Sequence, residues 1–215
     1  MRLLSIIIAA FAVVASPVSA GSAYLAFSAG SSFEHHKFDV WNGPSTPGRR
    51  ALTAQARSSD YAVAFGLHDL FRLGNRSFDA ELEIFERQNA DFTATGAAGA
   101  HPTAIRTTSV LASVWTQVAG QNKWTLKAGA GIGARHSIYR MQGPGIGFTT
   151  TDRAPYAMIG LRLSRQLNKR IAVYSEIRAH TRPPIHSPGG PMQGPLEHNS
   201  GGVTLRMGLQ IALGK

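Results

Sequence analysis

This chain contains no cysteine, which excludes disulfides, thiolate metal sites and a lipid-modified N-terminal cysteine. It is short of acid: 12 Asp and Glu stand against 22 Lys and Arg, for a net charge of +10. That excess invites an anionic partner. The basic residues are scattered, however, and no nucleic-acid motif accompanies them. Aromatics make up only 8% of residues. Long apolar runs are also missing. Apart from the first residues, nothing approaches the ~20 apolar residues that a membrane-crossing helix needs.

The opening "MRLLSIIIAAFAVVASPVSAGSAY" has Arg2 as a short basic segment and an apolar run from Leu3 to Val14. Pro17 and the small residues of "VSA" follow. This three-part pattern predicts a secretory signal over residues 1–20, cleaved between Ala20 and Gly21. The remainder, 21–215, is long enough for one domain with a packed interior, and it works outside the cytoplasm.

What the chain does have is two-residue alternation. In "GGVTLRMGLQIALGK" Val203, Leu205, Met207, Leu209, Ile211 and Leu213 share one face, and Thr204, Arg206, Gly208, Gln210 and Ala212 the other. Successive side chains of a strand point to opposite sides, so this is a strand with one apolar and one polar face. Seven further segments read alike: "SAYLAFSAGSSF", "SDYAVAFGLHDLF", "RSFDAELEIFERQ", "RTTSVLASVWTQV", "KWTLKAGAGIGARHSIYR", "APYAMIGLRLS" and "RIAVYSEIRAH". The fourth of these breaks the pattern, because Leu111 and Trp115 fall on its polar side.

Connections alternate between short turns ("RLGNR", "AGQNK", "RQLNKR") and long Gly-, Pro- and Ser-rich stretches at about 34–57, 89–105, 141–153 and 180–201. Eight strands with short turns on one side and long loops on the other predict an all-β, antiparallel, up-and-down transmembrane barrel of the bacterial outer-membrane kind. Which face looks inward decides between this and a soluble periplasmic lipocalin-like binder. The polar row is rich in glycine (Gly30, Gly66, Gly129, Gly131, Gly133, Gly160, Gly208). Glycine weakens a solvent-facing strand, whereas a narrow lumen needs side chains of alternating size.

The charges on that row are complementary. Asp79, Glu81, Glu83 and Glu176 stand against Arg87, Lys127, Arg135, Arg162, Arg178 and Arg206. The lumen of eight strands is narrow enough to be filled by side chains, so these ions are expected to pair inside it. Gly129, Gly131 and Ala134 match a dinucleotide-binding fingerprint, with Asp152 about where a ribose-binding acid is expected. That site needs a helix after the glycines, and "ARHSIYRMQGPGIG" continues as strand and loop. No cofactor is expected.

The stretches "LKAGAGIGAR" and "MIGLRLSRQLNKRIAVYSEIRAH", with the closing strand, resemble the opacity-type outer-membrane β-barrel proteins, and are similar to the barrel of outer membrane protein A. Tyr174, Glu176 and Arg178 match a Tyr-x-Glu-x-Arg run common in the seventh strand of that family. The resemblance implies a monomeric barrel in the outer membrane of a Gram-negative cell, placed there by the outer-membrane insertion machinery. A structural or surface-interaction role without an open pore is the leading expectation for such a barrel. Family members usually end in an aromatic residue; this chain ends in "IALGK".

Catalysis is the competing expectation, because some small outer-membrane barrels modify lipid A. The candidates are His35, His36, Asp39, Arg135-His136-Ser137, His180, His186, Ser187 and His198. His136 and Ser137, like His186 and Ser187, are adjacent and point to opposite faces when extended. No nucleophile, base and orienting group assemble from them, and no ligand set for a metal appears. Lys37, Arg49, Arg50, Arg57 and Arg182 in the long loops are candidate contacts to lipopolysaccharide phosphates.

Overall fold

The computed structural model describes residues 22–41, 49–96, 99–143, 146–187 and 196–214. The predicted cleavage site at Ala20 and Gly21 lies outside them. The described residues form eight strands: β1 (Ala23–Trp41), β2 (Arg49–Leu73), β3 (Arg76–Gly96), β4 (Gly99–Gln121), β5 (Trp124–Gly143), β6 (Ile146–Gln166), β7 (Ile171–Ser187) and β8 (Leu196–Ala212). Each pairs with its sequence neighbour, and β1 pairs antiparallel with β8, so the sheet closes into a barrel with no free edge. The tight turns fall where expected. Gly74 (φ 59°) and Asn122 (φ 57°) supply the left-handed conformations that two of them need.

The apolar row faces outward. Phe27, Val63, Val114, Ile132, Ile159, Ile177 and Met207 are all exposed, with Ile132 at 73% and Met207 at 72%. Large apolar side chains at such exposure form a belt that only hydrocarbon or a partner would cover. The lipocalin arrangement, with this row turned inward, is thereby ruled out. Leu111 and Trp115, which break the alternation of β4, point into the lumen and are 0% and 1% exposed. The lumen glycines make room for rings: a Cβ on Gly129 would run into the indole of Trp115, and one on Gly208 into the ring of Tyr174.

The long loops read from the sequence are in fact mostly strand. β1 continues to Trp41, β2 begins at Arg49, β3 reaches Gly96, β6 begins at Ile146 and β7 reaches Ser187. Strands of 17 to 25 residues far exceed the ~9–11 that cross a bilayer. The physical reason for the difference is a reversal of polarity along the barrel. Beyond the belt, the outward row becomes polar (His35, Lys37, Gln55, Arg57, Arg106, His136, Arg140, Arg153 and Asn199 are exposed). The inward row becomes apolar, with Phe38, Leu52, Ala54, Ala94, Ile105, Tyr139 and Met141 packed together. One half of the barrel is built for a membrane and the other half for water.

A register shift between Arg87 and Ala90 adds to the disguise. Before it, odd-numbered residues of β3 face inward (Glu81, Glu83, Phe85); after it the buried residue is Ala94. A bulge of this kind moves every later side chain to the other face.

Candidate functional site

The polar row of the half inside the apolar belt converges in the lumen. Glu81, Glu83, Arg87, Arg135, Arg162, Glu176, Arg178 and Arg206 are each no more than 3% exposed. They come from β3, β5, β6, β7 and β8, and the closed sheet is what aims all of them at one axis.

Together with Glu34 and Asp60 they form a single chain of alternating charge. Arg162 donates to Glu81 at 2.6 Å and to Glu176 at 2.7 Å. Glu176 also accepts from Arg178. Arg178 grips Glu83 with two parallel bonds of 2.7 Å, the fork-to-carboxylate geometry that guanidinium favours. Glu83 also accepts from Arg206 at 2.7 Å, and Arg206 pairs with Asp60. Arg87 bridges Asp60 (3.3 Å) to Glu34. Glu34 then meets Arg135 at 3.3 Å and His180 at 2.9 Å.

Rings line the chain. The guanidinium of Arg162 lies 4.2 Å from the Trp115 ring and 4.7 Å from that of Tyr174, and Arg206 lies 4.9 Å from Phe85. Tyr24 donates to Glu81 at 3.0 Å. Asp79 and Lys127 form a separate group nearer the short turns, where Asp79 also faces His68 at 3.1 Å.

Glu176 and Arg206 are register partners on β7 and β8, yet Arg206 pairs with Glu83 and Asp60 instead. Glu34 and Asp60 are not among the ions expected from the sequence: Glu34 lies in the Gly-, Pro- and Ser-rich stretch 34–57, and Asp60 at the margin of an alternating segment. Both keep the parity of the inward row, continuing Ser28 and Gly30 in β1 and preceding Ala62 and Ala64 in β2. Extending the alternation one step further would have found them.

The candidate catalytic residues scatter. His35 and His136 face outward and are exposed, whereas His36, Arg135, Ser137, His180 and His198 are buried inside. The side chains of His186 and Ser187 lie outside the described residues, as do those of Arg49, Arg50 and Arg182. Lys37 and Arg57 are exposed on the outer wall of strands rather than on loops, and Arg57 lies 5.4 Å over the ring of Phe33. Among the described residues no group of three or more His, Asp or Glu is placed to hold a metal ion. The fingerprint glycines lie within β5 and Asp152 within β6, with no helix between them among the described residues.

No family model matches this chain, and no curated protein does. Among solved structures, it is similar to a major outer membrane protein from Thermus thermophilus (11% identity, 89% of this chain and 100% of that one, TM-score 0.54). It is also similar to the outer membrane protease OmpT from Escherichia coli (8% identity, 89% and 97%, TM-score 0.51). A third is the outer membrane protein OprG from Pseudomonas aeruginosa (8% identity, 92% and 100%, TM-score 0.50). At these identities the likeness establishes the fold, that of an outer-membrane β-barrel, and nothing narrower.

Proposed function

We propose that this chain is exported by its N-terminal signal to the outer membrane of a Gram-negative cell. There it acts as a structural or surface-interaction barrel of opacity-like type, a monomer with neither an open pore nor catalysis. The observation that carries this reading is the reversal of polarity along the barrel. An exposed apolar belt surrounds a lumen of paired ions in one half, and a polar wall surrounds an apolar interior in the other. A soluble protein would not expose Ile132, Ile159 and Met207 together on one continuous belt. A conducting pore would not join its lumen charges side to side across the axis.

The short turns then face the periplasm and the long strands rise outside the cell. Just above the belt the wall carries Lys37, Arg57, Arg106, Arg140 and Arg153. Cations at that level suit the phosphates of lipopolysaccharide, and insertion would pass through the outer-membrane assembly machinery. Lipid A modification is the competing reading, and mass spectrometry of lipid A from a deletion strain tests it.

The direct test expresses the full chain and washes the outer membranes with urea. The detergent-solubilised protein is then run on a gel with and without boiling. Retention and a heat-dependent shift are expected, together with no steady conductance in planar bilayers. Extraction by urea, or a stable open current, would overturn the proposal.

A further inference from the structure

The chain of charge does not stop at Glu34. His36 Nε2 lies 3.7 Å from Glu34, His36 Nδ1 lies 2.9 Å from His198 Nε2, and His198 Nδ1 lies 3.2 Å from the Tyr139 hydroxyl. His180 approaches Glu34 from β7. His36 and His198 are each 1% exposed. His198 stacks on Phe38 with centroids 4.5 Å apart, and His36 on Phe92 at 4.9 Å. Two imidazoles thus sit edge to edge inside the apolar packing of the upper barrel. They belong to β1 and β8, the first and last strands, and so span the seam that closes the cylinder.

The bond between them needs one nitrogen to donate and the other to accept. It exists only while at least one ring is neutral; two protonated rings would point N–H at N–H. The buried ions of the barrel as a whole are matched in number. Among the described residues, the buried carboxylates are Glu34, Asp60, Asp79, Glu81, Glu83 and Glu176. They are met one for one by Arg87, Arg135, Arg162, Arg178, Arg206 and Lys127. Glu34 and Tyr139 contact the pair, and the other buried titratable and charged groups on the inward rows include Asp60 from β2, Arg87 from β3, His101 from β4, Arg135 from β5, Tyr156 from β6, His180 from β7 and Arg206 from β8. Asp152 is half-buried on the same row of β6. Glu34, which touches His36, is already held by Arg87, Arg135 and His180.

We propose that the His36–His198 pair, braced by Glu34 and Tyr139, is an acid-released latch on the extracellular half of the barrel. At neutral pH the pair closes the β1–β8 seam. As pH falls through the range where histidine takes up a proton, the second ring to charge breaks the bond between them and the seam opens. The sign follows from the doubly charged form being the disfavoured one inside: stability is present at high pH and lost as pH falls. The membrane half stays shut, because its lumen is joined by arginine–carboxylate pairs rather than by a pair of imidazoles.

Hydrogen exchange followed by mass spectrometry, on the full folded chain in detergent micelles, tests this at about pH 7.5 and about pH 5. After correction for intrinsic rates, protection of residues 33–40 and 196–202 falls at least about tenfold on acidification, while 171–177 and 205–212 keep theirs. In H36F/H198F, where the stacking remains and the titrating nitrogens are gone, the fall shrinks to within about threefold. Unchanged protection in the unsubstituted protein overturns the latch, and so does an equal fall in the double variant. If that variant does not yield a heat-shifted folded band, His198→Gln replaces it with the same expectation. The proposal rests on the barrel reading above, and a missing heat shift in the unsubstituted protein at pH 7.5 would refute that reading separately.

Discussion

Replacing Glu83 with glutamine keeps the size of the side chain and removes its charge. Glu83 is 2% exposed and holds Arg178 through two bonds and Arg206 through one, all at 2.7 Å. After the change, two buried guanidiniums share Glu176 and Asp60 with Arg162 and Arg87, and one positive charge in the lumen has no counterpart. Removing one partner of a buried pair costs about 3–5 kcal/mol. Glu176 and Asp60 take up part of the loss, which favours the lower end. With a urea slope of about 2 kcal/mol per molar, about 3 kcal/mol lowers the unfolding midpoint by about 1.5 M.

The assay is urea titration of the folded barrel in detergent, followed by heat-shift gels and by tryptophan fluorescence. Trp115 lies beside Arg162 and Arg178 and reports on this layer directly. Adding Arg206→Met restores neutrality and should recover part of the midpoint. A shift of less than about 0.3 M in the single variant would refute the idea that the lumen is held by matched charge. A shift that the second substitution does not reverse would assign the loss to hydrogen bonding instead.

Gly129→Val drives carbon into the Trp115 ring and should cost about 1–3 kcal/mol in the same titration. Met207→Arg, placed on the belt at 72% exposure, should cost about 2–4 kcal/mol if that position lies at mid-membrane, and should reduce the heat-shifted fraction in outer membranes. Glu176→Gln removes the charge and replaces one of the two oxygens that accept from Arg162 and Arg178 with an N–H donor, and should lower the midpoint on the scale of Glu83→Gln. Reversing Lys37 and Arg57 to glutamate should weaken binding to lipopolysaccharide-containing vesicles several-fold at low salt and have little effect at ~1 M salt, where screening removes the attraction.

Alternation alone was sufficient to identify the strands, because every residue of a strand must choose one of two faces. The closing segment from Val203 to Ile211, and the Tyr174, Glu176, Arg178 row beside it, could be read without any partner. So could the tight turns at Gly74 and Asn122, where local conformation demands Gly or Asn. Charge complementarity along the inward row singles out Asp79, Glu81, Glu83, Glu176 and their basic counterparts from the sequence alone.

The extent of the strands was a different matter. Phe38, Leu52 and Ala54 occupy inward positions, where the membrane half carries polar residues, so the same period continues with its polarity reversed. Sequence periodicity reports which residues share a face but not what that face meets. That depends on whether hydrocarbon or water lies outside at each height, and on a closed sheet bringing Glu34, Arg87 and His180 from three strands to one point. Which arginine takes which carboxylate was beyond the sequence for the same reason: the choice of Glu83 and Asp60 over Glu176 by Arg206 is made across the axis of the barrel, between residues far apart in the chain.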